Sequence, residues 1–391
     1  MRKLLALAAV VAIATPAFAG LGVDTRYDYI SGQSNSQLSS QTQYGSGFAF
    51  SRMFITGDGK LGEGVSFKAA LNPLSFAAGT QTVSDGTNAN STKTGAGAPA
   101  GTFINPSQTK ALVAGSYPQT GPNDFVQWAE GDAKITDMVT VNVGKLADIG
   151  LGGFEGQENP GDEYFLAMGN LSTLYVLGAQ VQYQISDTQK VGVPFFNNTT
   201  ATDSVRMGAG VWYAGTFGNV GLRVSYHTLP GNAMSAAGFG ATSVAKGAIA
   251  TTPLTVGLSY KMDDWKFTLD YDSITVTNAS LLGNNQVVTS AVVTARYNMG
   301  NWTPWVKLES TSRQGFQTAA TATSDASDSV MNWSLAAEYK KNATDPFRYE
   351  LAYLSSATSY AGNSNYTGQT NASVTDSAMY AGIRYVGDFL K

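Results

Sequence analysis

Apolar and polar residues take turns along most of this chain. In 174–185, Tyr175, Leu177, Ala179, Val181, Tyr183 and Ile185 share one parity, and Gln180, Gln182 and Gln184 share the other. In 220–227, Val220, Leu222, Val224 and Tyr226 oppose Gly221, Arg223, Ser225 and His227. Trp265, Phe267, Leu269 and Tyr271 oppose Lys266, Thr268, Asp270 and Asp272. In 331–340, Met331, Trp333, Leu335, Ala337 and Tyr339 oppose Asn332, Ser334, Glu338 and Lys340. A strand sends successive side chains to opposite faces, so each segment predicts a strand with one greasy and one wet face. Sixteen such segments are read, near 21–30, 47–57, 62–72, 124–133, 138–147, 173–186, 189–196 and 204–214 in the first half. The second half adds 218–228, 253–262, 264–276, 286–299, 301–311, 330–340, 346–358 and 377–389. The seventh is short, and the second has aromatics on both parities.

The connections predict the architecture. Short ones (57–61, 134–137, 186–188, 215–217, 263, 300 and 341–345) alternate with long ones (31–46, 73–123, 148–172, 197–203, 229–252, 277–285, 312–329 and 359–376). An all-β, antiparallel sheet with tight turns at one end and long loops at the other gives this alternation, as in a transmembrane β-barrel. An even strand number places both chain ends at the short-turn end. A secreted β-sandwich also has alternating strands. However, strands of ten or more residues suit a tilted bilayer crossing of about 9–11 residues better than the usual 5–6. Trp and Tyr near strand ends (Tyr27, Tyr29, Tyr213, Tyr226, Trp265, Trp302, Tyr339, Tyr385) match the rings that favour membrane–water interfaces.

Composition sharpens this. Charged residues make up 13% of the chain, about half the usual share of roughly 25%. Past residue 19 no apolar run approaches the roughly 18–20 residues of a membrane helix, so any crossing is made by strands. Arg2 and Lys3, the apolar run 4–13 and the small-x-small site Ala17-Phe18-Ala19 read as a signal peptide over 1–19. The expected mature chain is a single barrel domain, 20–391. Loss of the leader's two cations takes the formal net charge from −4 to −6, which argues against a nucleic-acid partner. Cysteine is absent and His227 is the single histidine, so no thiolate metal site or cofactor motif is expected.

One loop stands apart. Residues 152–164 hold Glu155, Glu158, Asp162 and Glu163 among four glycines, and no Lys, Arg or His occurs from 146 to 189. Read with the strand pattern, the chain resembles the sixteen-stranded Gram-negative general diffusion porins. The resemblance covers the whole mature chain as an architecture, and it is positional. In that family the third long loop, here 148–172, folds into the lumen, narrows the pore and carries an acidic, glycine-containing segment. The resemblance implies an outer-membrane location, a homotrimer, and passage of ions and small hydrophilic solutes. It also implies that Glu155, Glu158, Asp162 and Glu163 form one wall of the eyelet. Such porins end on an aromatic. Phe389 matches it, although Leu390 and Lys391 follow.

With lipid outside, the polar parity faces the lumen. Arg26, Lys68, Arg206, Arg223, Lys266, Arg296, Arg348 and Arg384 lie on it, with Arg52 beside them. Closure of first strand on last brings Arg26 near Arg384, so Arg26, Arg52, Lys68, Arg348 and Arg384 are the expected basic wall. Set opposite the acidic loop, that wall would produce a transverse field. The excess of acids implies weak cation preference. Duller readings are a solvated external loop, a Ca²⁺ site of loop carboxylates, and arginines that simply pair with Asp24, Asp28 or Glu350. Two rival functions remain. A substrate-specific channel would need an aromatic track or a basic ladder, and neither is clear. A hydrolase would use Ser225 and His227, two residues apart on one face. Loop 73–123 is rich in Gly, Ser, Thr, Ala and Asn; long polar loops of this kind can cap a pore or latch a neighbouring subunit, and the sequence does not choose between the two.

Overall fold

The computed structural model of the chain describes residues 20–36, 41–71, 126–154, 176–198, 206–230, 250–276, 285–316, 326–361 and 371–390. The strands are β1 Gly20–Ser36, β2 Gln41–Gly62, β3 Val65–Leu71, β4 Val126–Lys134, β5 Val139–Leu146 and β6 Val176–Ser186. They continue with β7 Gln189–Asn198, β8 Arg206–Phe217, β9 Val220–Pro230, β10 Ala250–Met262 and β11 Trp265–Val276. The last are β12 Gln286–Tyr297, β13 Trp302–Phe316, β14 Ala326–Tyr339, β15 Phe347–Ala361 and β16 Asn371–Leu390. Each bonds antiparallel to its chain neighbours, and β1 bonds to β16, which closes a sixteen-stranded barrel. Full closure removes the unpaired strand edges that an open sheet would leave in lipid.

Burial is inverted relative to a water-soluble protein. On β14, Met331, Trp333 and Leu335 are exposed, while Asn332 and Ser334 between them, and Glu338 beyond, are buried. The contrast is large: Met207 is 67% and Leu335 58% exposed, whereas Asp270 and Asp272 are each 1%. In water, apolar surface costs about 25 cal/mol per Å² to leave uncovered. A continuous belt of this kind is therefore a lipid-facing surface. No helix of the described residues is long and apolar enough to cross a membrane.

Near the short-turn end the belt is edged by aromatic contacts. Trp265 meets Tyr297 with ring centroids 4.7 Å apart, Trp302 meets Tyr339 at 5.0 Å, and Phe347 meets Tyr385 at 5.1 Å. Cross-strand aromatic pairs both stabilise the ladder and suit the interface.

Three strands run well past their predicted ends. The expected loop 31–46 is mostly the β1–β2 ribbon, paired out to Ser36 and Gln41. β16 begins at Asn371, and Asp328, read as a loop residue, lies in β14. These extensions are mostly polar. A ladder beyond the bilayer needs no lipid-facing side, so the period-two signal stops where the lipid stops. The first tight turn is at Glu63–Gly64, not 57–61, with Gly64 at a positive φ of 69°. β2 also explains its own ambiguity. Arg26 pairs with Arg52 but Tyr27 pairs with Phe50, so Ser51 is an extra residue. This β-bulge reverses the alternation of the strand, which puts apolar residues on opposite parities before and after it.

Candidate pore lining and constriction

Four arginines stand in one register row across the seam where the barrel closes. Arg348 pairs with Arg384, Arg384 with Arg26, and Arg26 with Arg52. Like charges directly opposite one another on adjacent strands are destabilising. Acidic and phenolic partners offset the repulsion. Arg26 Nη2 lies 2.6 Å from Glu350 Oε2, and its Nε donates to the Tyr380 hydroxyl at 2.8 Å. Tyr380 in turn donates to Glu350 at 2.9 Å. Arg384 grips Asp24 with two bonds, at 2.8 and 2.6 Å. Arg348 reaches Glu338 at 3.6 Å. Lys68, on β3, sits 2.6 Å from Glu130, whose other oxygen accepts from the Ala147 backbone at 2.7 Å. Glu130 thus ties a wall cation to the start of the third loop.

That start turns into the lumen. Residues 147–154 run across the inner faces of β6 to β11, held at every few residues. Asp148 accepts from Arg223 on β9 at 3.2 Å, and its carbonyl accepts from Gln180 on β6. The Ile149 carbonyl accepts from His227 Nε2 at 2.7 Å. The Phe154 amide donates to Asp270 on β11 at 2.8 Å. Leu146, Ile149 and Leu151 pack with Val176, Phe196 and Leu229 into an apolar cluster inside the barrel. The chain fits so closely because two glycines remove their side chains. A Cβ on Gly150 would lie 2.1 Å from the Trp212 ring, and one on Gly153 would lie 2.0 Å from Asp270 Oδ1. Gly150 also holds φ at 78°, a conformation L side chains rarely take.

The geometry of the ring places these two features apart. Going either way round the barrel, seven strands lie between β1 and β9. The arginine row on β15, β16, β1 and β2 is therefore across the lumen from β8 and β9, in the middle of the stretch that residues 147–154 cross. The predicted loop acids Glu155, Glu158, Asp162 and Glu163 lie outside the described residues, as does 73–123.

Ser225 and His227 share the inner face of β9, but both are sealed from solvent under the loop. A carbonyl only accepts, so the proton shared with Ile149 is on His227 Nε2. Neither His227 Nδ1 nor Ser225 Oγ has a hydrogen-bond partner, so the contact that would activate the serine is not made.

Several residues of the site escaped the sequence reading: Glu130, Asp148, Asp270, Trp212, Phe196 and Tyr380. Three of them carried a signal. Trp212, Phe196 and Tyr380 are aromatics on the polar parity of their strands, and all three are buried inside the barrel. An aromatic out of phase with its strand marks a place where something packs against the inner wall.

The fold is found in solved outer-membrane proteins. The anion-selective porin from Comamonas acidovorans aligns with a TM-score of 0.52 at 14% identity, over 94% of this chain and 99% of that one. A loop L8 deletion mutant of OmpT, an outer membrane protein of Vibrio cholerae, aligns at 0.50 and 13% identity, over 94% and 99%. OmpF of Salmonella typhi, in complex with daunomycin, aligns at 0.50 and 11%, over 93% and 97%. No family model and no curated protein matches the sequence. The chain therefore has the sixteen-stranded porin fold, at an identity that speaks for architecture alone.

Proposed function

We propose that this protein is an outer-membrane porin, a water-filled channel for passive diffusion of ions and small hydrophilic solutes. One observation carries the reading: a closed barrel with a lipid-facing apolar belt has a charged inner wall and a loop that begins by folding onto that wall. A barrel serving only as an anchor has no use for inward rows of Arg, Lys, Asp and Glu, each costly to bury without water or partners. The eyelet is formed by the acidic segment, Glu155, Glu158, Asp162 and Glu163, facing the arginine row across the lumen. The row's partial neutralisation by Glu350, Asp24 and Glu338 blunts its field and holds the guanidinium groups in place. By resemblance to the sixteen-stranded porins the chain acts as a homotrimer in the outer membrane after removal of 1–19, and it needs no cofactor. The sealed Ser225–His227 pair disfavours a hydrolase. The mixed signs along the wall disfavour a channel for one solute class.

Liposome swelling tests this. Vesicles containing the purified protein should admit pentoses and hexoses at rates that fall steeply with solute size. Swelling no faster than in protein-free vesicles would refute the channel.

A further inference from the structure

A second charged feature lies at the opposite end of the barrel from the long loops. Lys261 on β10 stands directly opposite Lys266 on β11, and Lys266 directly opposite Arg296 on β12. Three cations thus occupy one register row on three adjacent strands. Tyr260 and Trp265, their chain neighbours, are on the lipid side, so the three point inward. Each like-charge pair of this kind weakens the ladder. Two such pairs side by side concentrate positive charge at one level of the inner wall.

The row lines a cavity of about 530 Å³, within the range of roughly 300–1,000 Å³ typical of small-ligand sites. Ser259, Thr216, Asn219 and Asn298 add hydrogen-bonding groups, and the turn carboxylates Asp263 and Asp264 also line it. Gly221, in the same lining, lies beneath the Phe154 ring, so the cavity is directly below the point where the third loop reaches β11. The frame is rigid. Adjacent turns are stitched together by Lys261 N to Asn219 O and Asn298 N to Asp264 O, each 2.9 Å. The Arg296 guanidinium rests 5.8 Å from the centre of the Trp305 ring. The cations are therefore presented from strands, which hold geometry better than loops do.

We infer that Lys261, Lys266 and Arg296 form an anion-binding shelf at the short-turn mouth of the channel, taking phosphate- or carboxylate-bearing solutes as they pass the constriction. The inference rests on the chain forming a channel and adds a second site to it. Lys and Arg at a pore mouth raise the local concentration of anions, and multivalent ones linger longest.

The test is planar-bilayer recording of the purified protein and of the triple variant K261Q/K266Q/R296Q, with inorganic phosphate as probe. A K340Q/K341Q variant, with cations removed from a neighbouring turn outside the cavity, is the control. Phosphate added to one side only should reduce chloride current in the wild type and in the control. In the triple variant the reduction should disappear, and the chloride-to-potassium permeability ratio should fall at least about twofold. The single variant K261Q, at an exposed position, should show part of the same loss if the triple variant does not insert. Equal phosphate sensitivity and equal permeability ratios in the wild type, K261Q and triple variant would overturn the shelf while leaving the channel intact. Block seen only in bilayers of phosphate-free lipid would mean that lipid headgroups already fill the cavity, which overturns the solute assignment. Absence of any channel current would instead strike the porin reading itself.

Discussion

At the scale of single residues, two contacts decide how the lumen is furnished. The first is the seat of the third loop. Gly153 lies on Asp270 and Gly150 on Trp212, with no space for a β-carbon at either. Gly153→Val should push the chain off the wall and into the aperture, and so lower single-channel conductance. The overpacking should cost about 1–3 kcal/mol of barrel stability, read from the urea midpoint of refolding into lipid. Unchanged conductance would mean that the loop's path is set elsewhere. The second contact is the Arg26–Glu350–Tyr380 triad. Both charged side chains are almost wholly buried, at 0% and 1% exposure. Removing one partner of a buried pair costs about 3–5 kcal/mol because the other is stranded. Arg26→Ala should therefore destabilise strongly, and adding Glu350→Ala should recover part of the loss. The double-mutant cycle should give a coupling of about 0.5–3 kcal/mol. Additive losses would show that the pair is bystander geometry.

At the scale of strands and loops, legibility followed the lipid. β11 was readable to within a few residues because one face meets hydrocarbon and the other water throughout. The ends of β1, β2 and β16 were not, since paired strands in water carry no alternation to read. The seat of the third loop was hidden for a related reason. Its acids and glycines are visible as composition, but Asp148, Asp270 and Glu130 acquire their roles only through register and closure. The β2 bulge gives a direct test of this reasoning. Deleting Ser51 leaves Phe50 opposite Tyr27 and Arg52 opposite Arg26, now as consecutive ladder pairs. The alternation is then continuous, so this deletion should fold to a heat-modifiable barrel like the parent. Deleting Thr294, in the regular ladder of β12, throws one half of that strand onto the wrong face and should abolish the folded band on unheated gels. Equal folding of both deletions would contradict the register.

For the whole molecule, the account is a balance of charge across a lumen. The arginine row is on β15, β16, β1 and β2, residues 148–154 cross the far wall, and the three-cation shelf lies at the short-turn mouth. At about 0.15 M salt the Debye length is roughly 8 Å, comparable with an eyelet, so opposed walls act on the same passing ion. Replacing Glu155, Glu158, Asp162 and Glu163 with their amides should raise relative anion permeability at least about twofold. An unchanged reversal potential would place that segment outside the pore. The central claim is that this barrel conducts, and single-channel recording of the purified protein in planar bilayers tests it most directly. The account predicts discrete, ohmic steps, grouped in threes if the homotrimer forms, with conductance proportional to bulk salt. A folded, membrane-inserted protein that produces no steps at any salt concentration would contradict it.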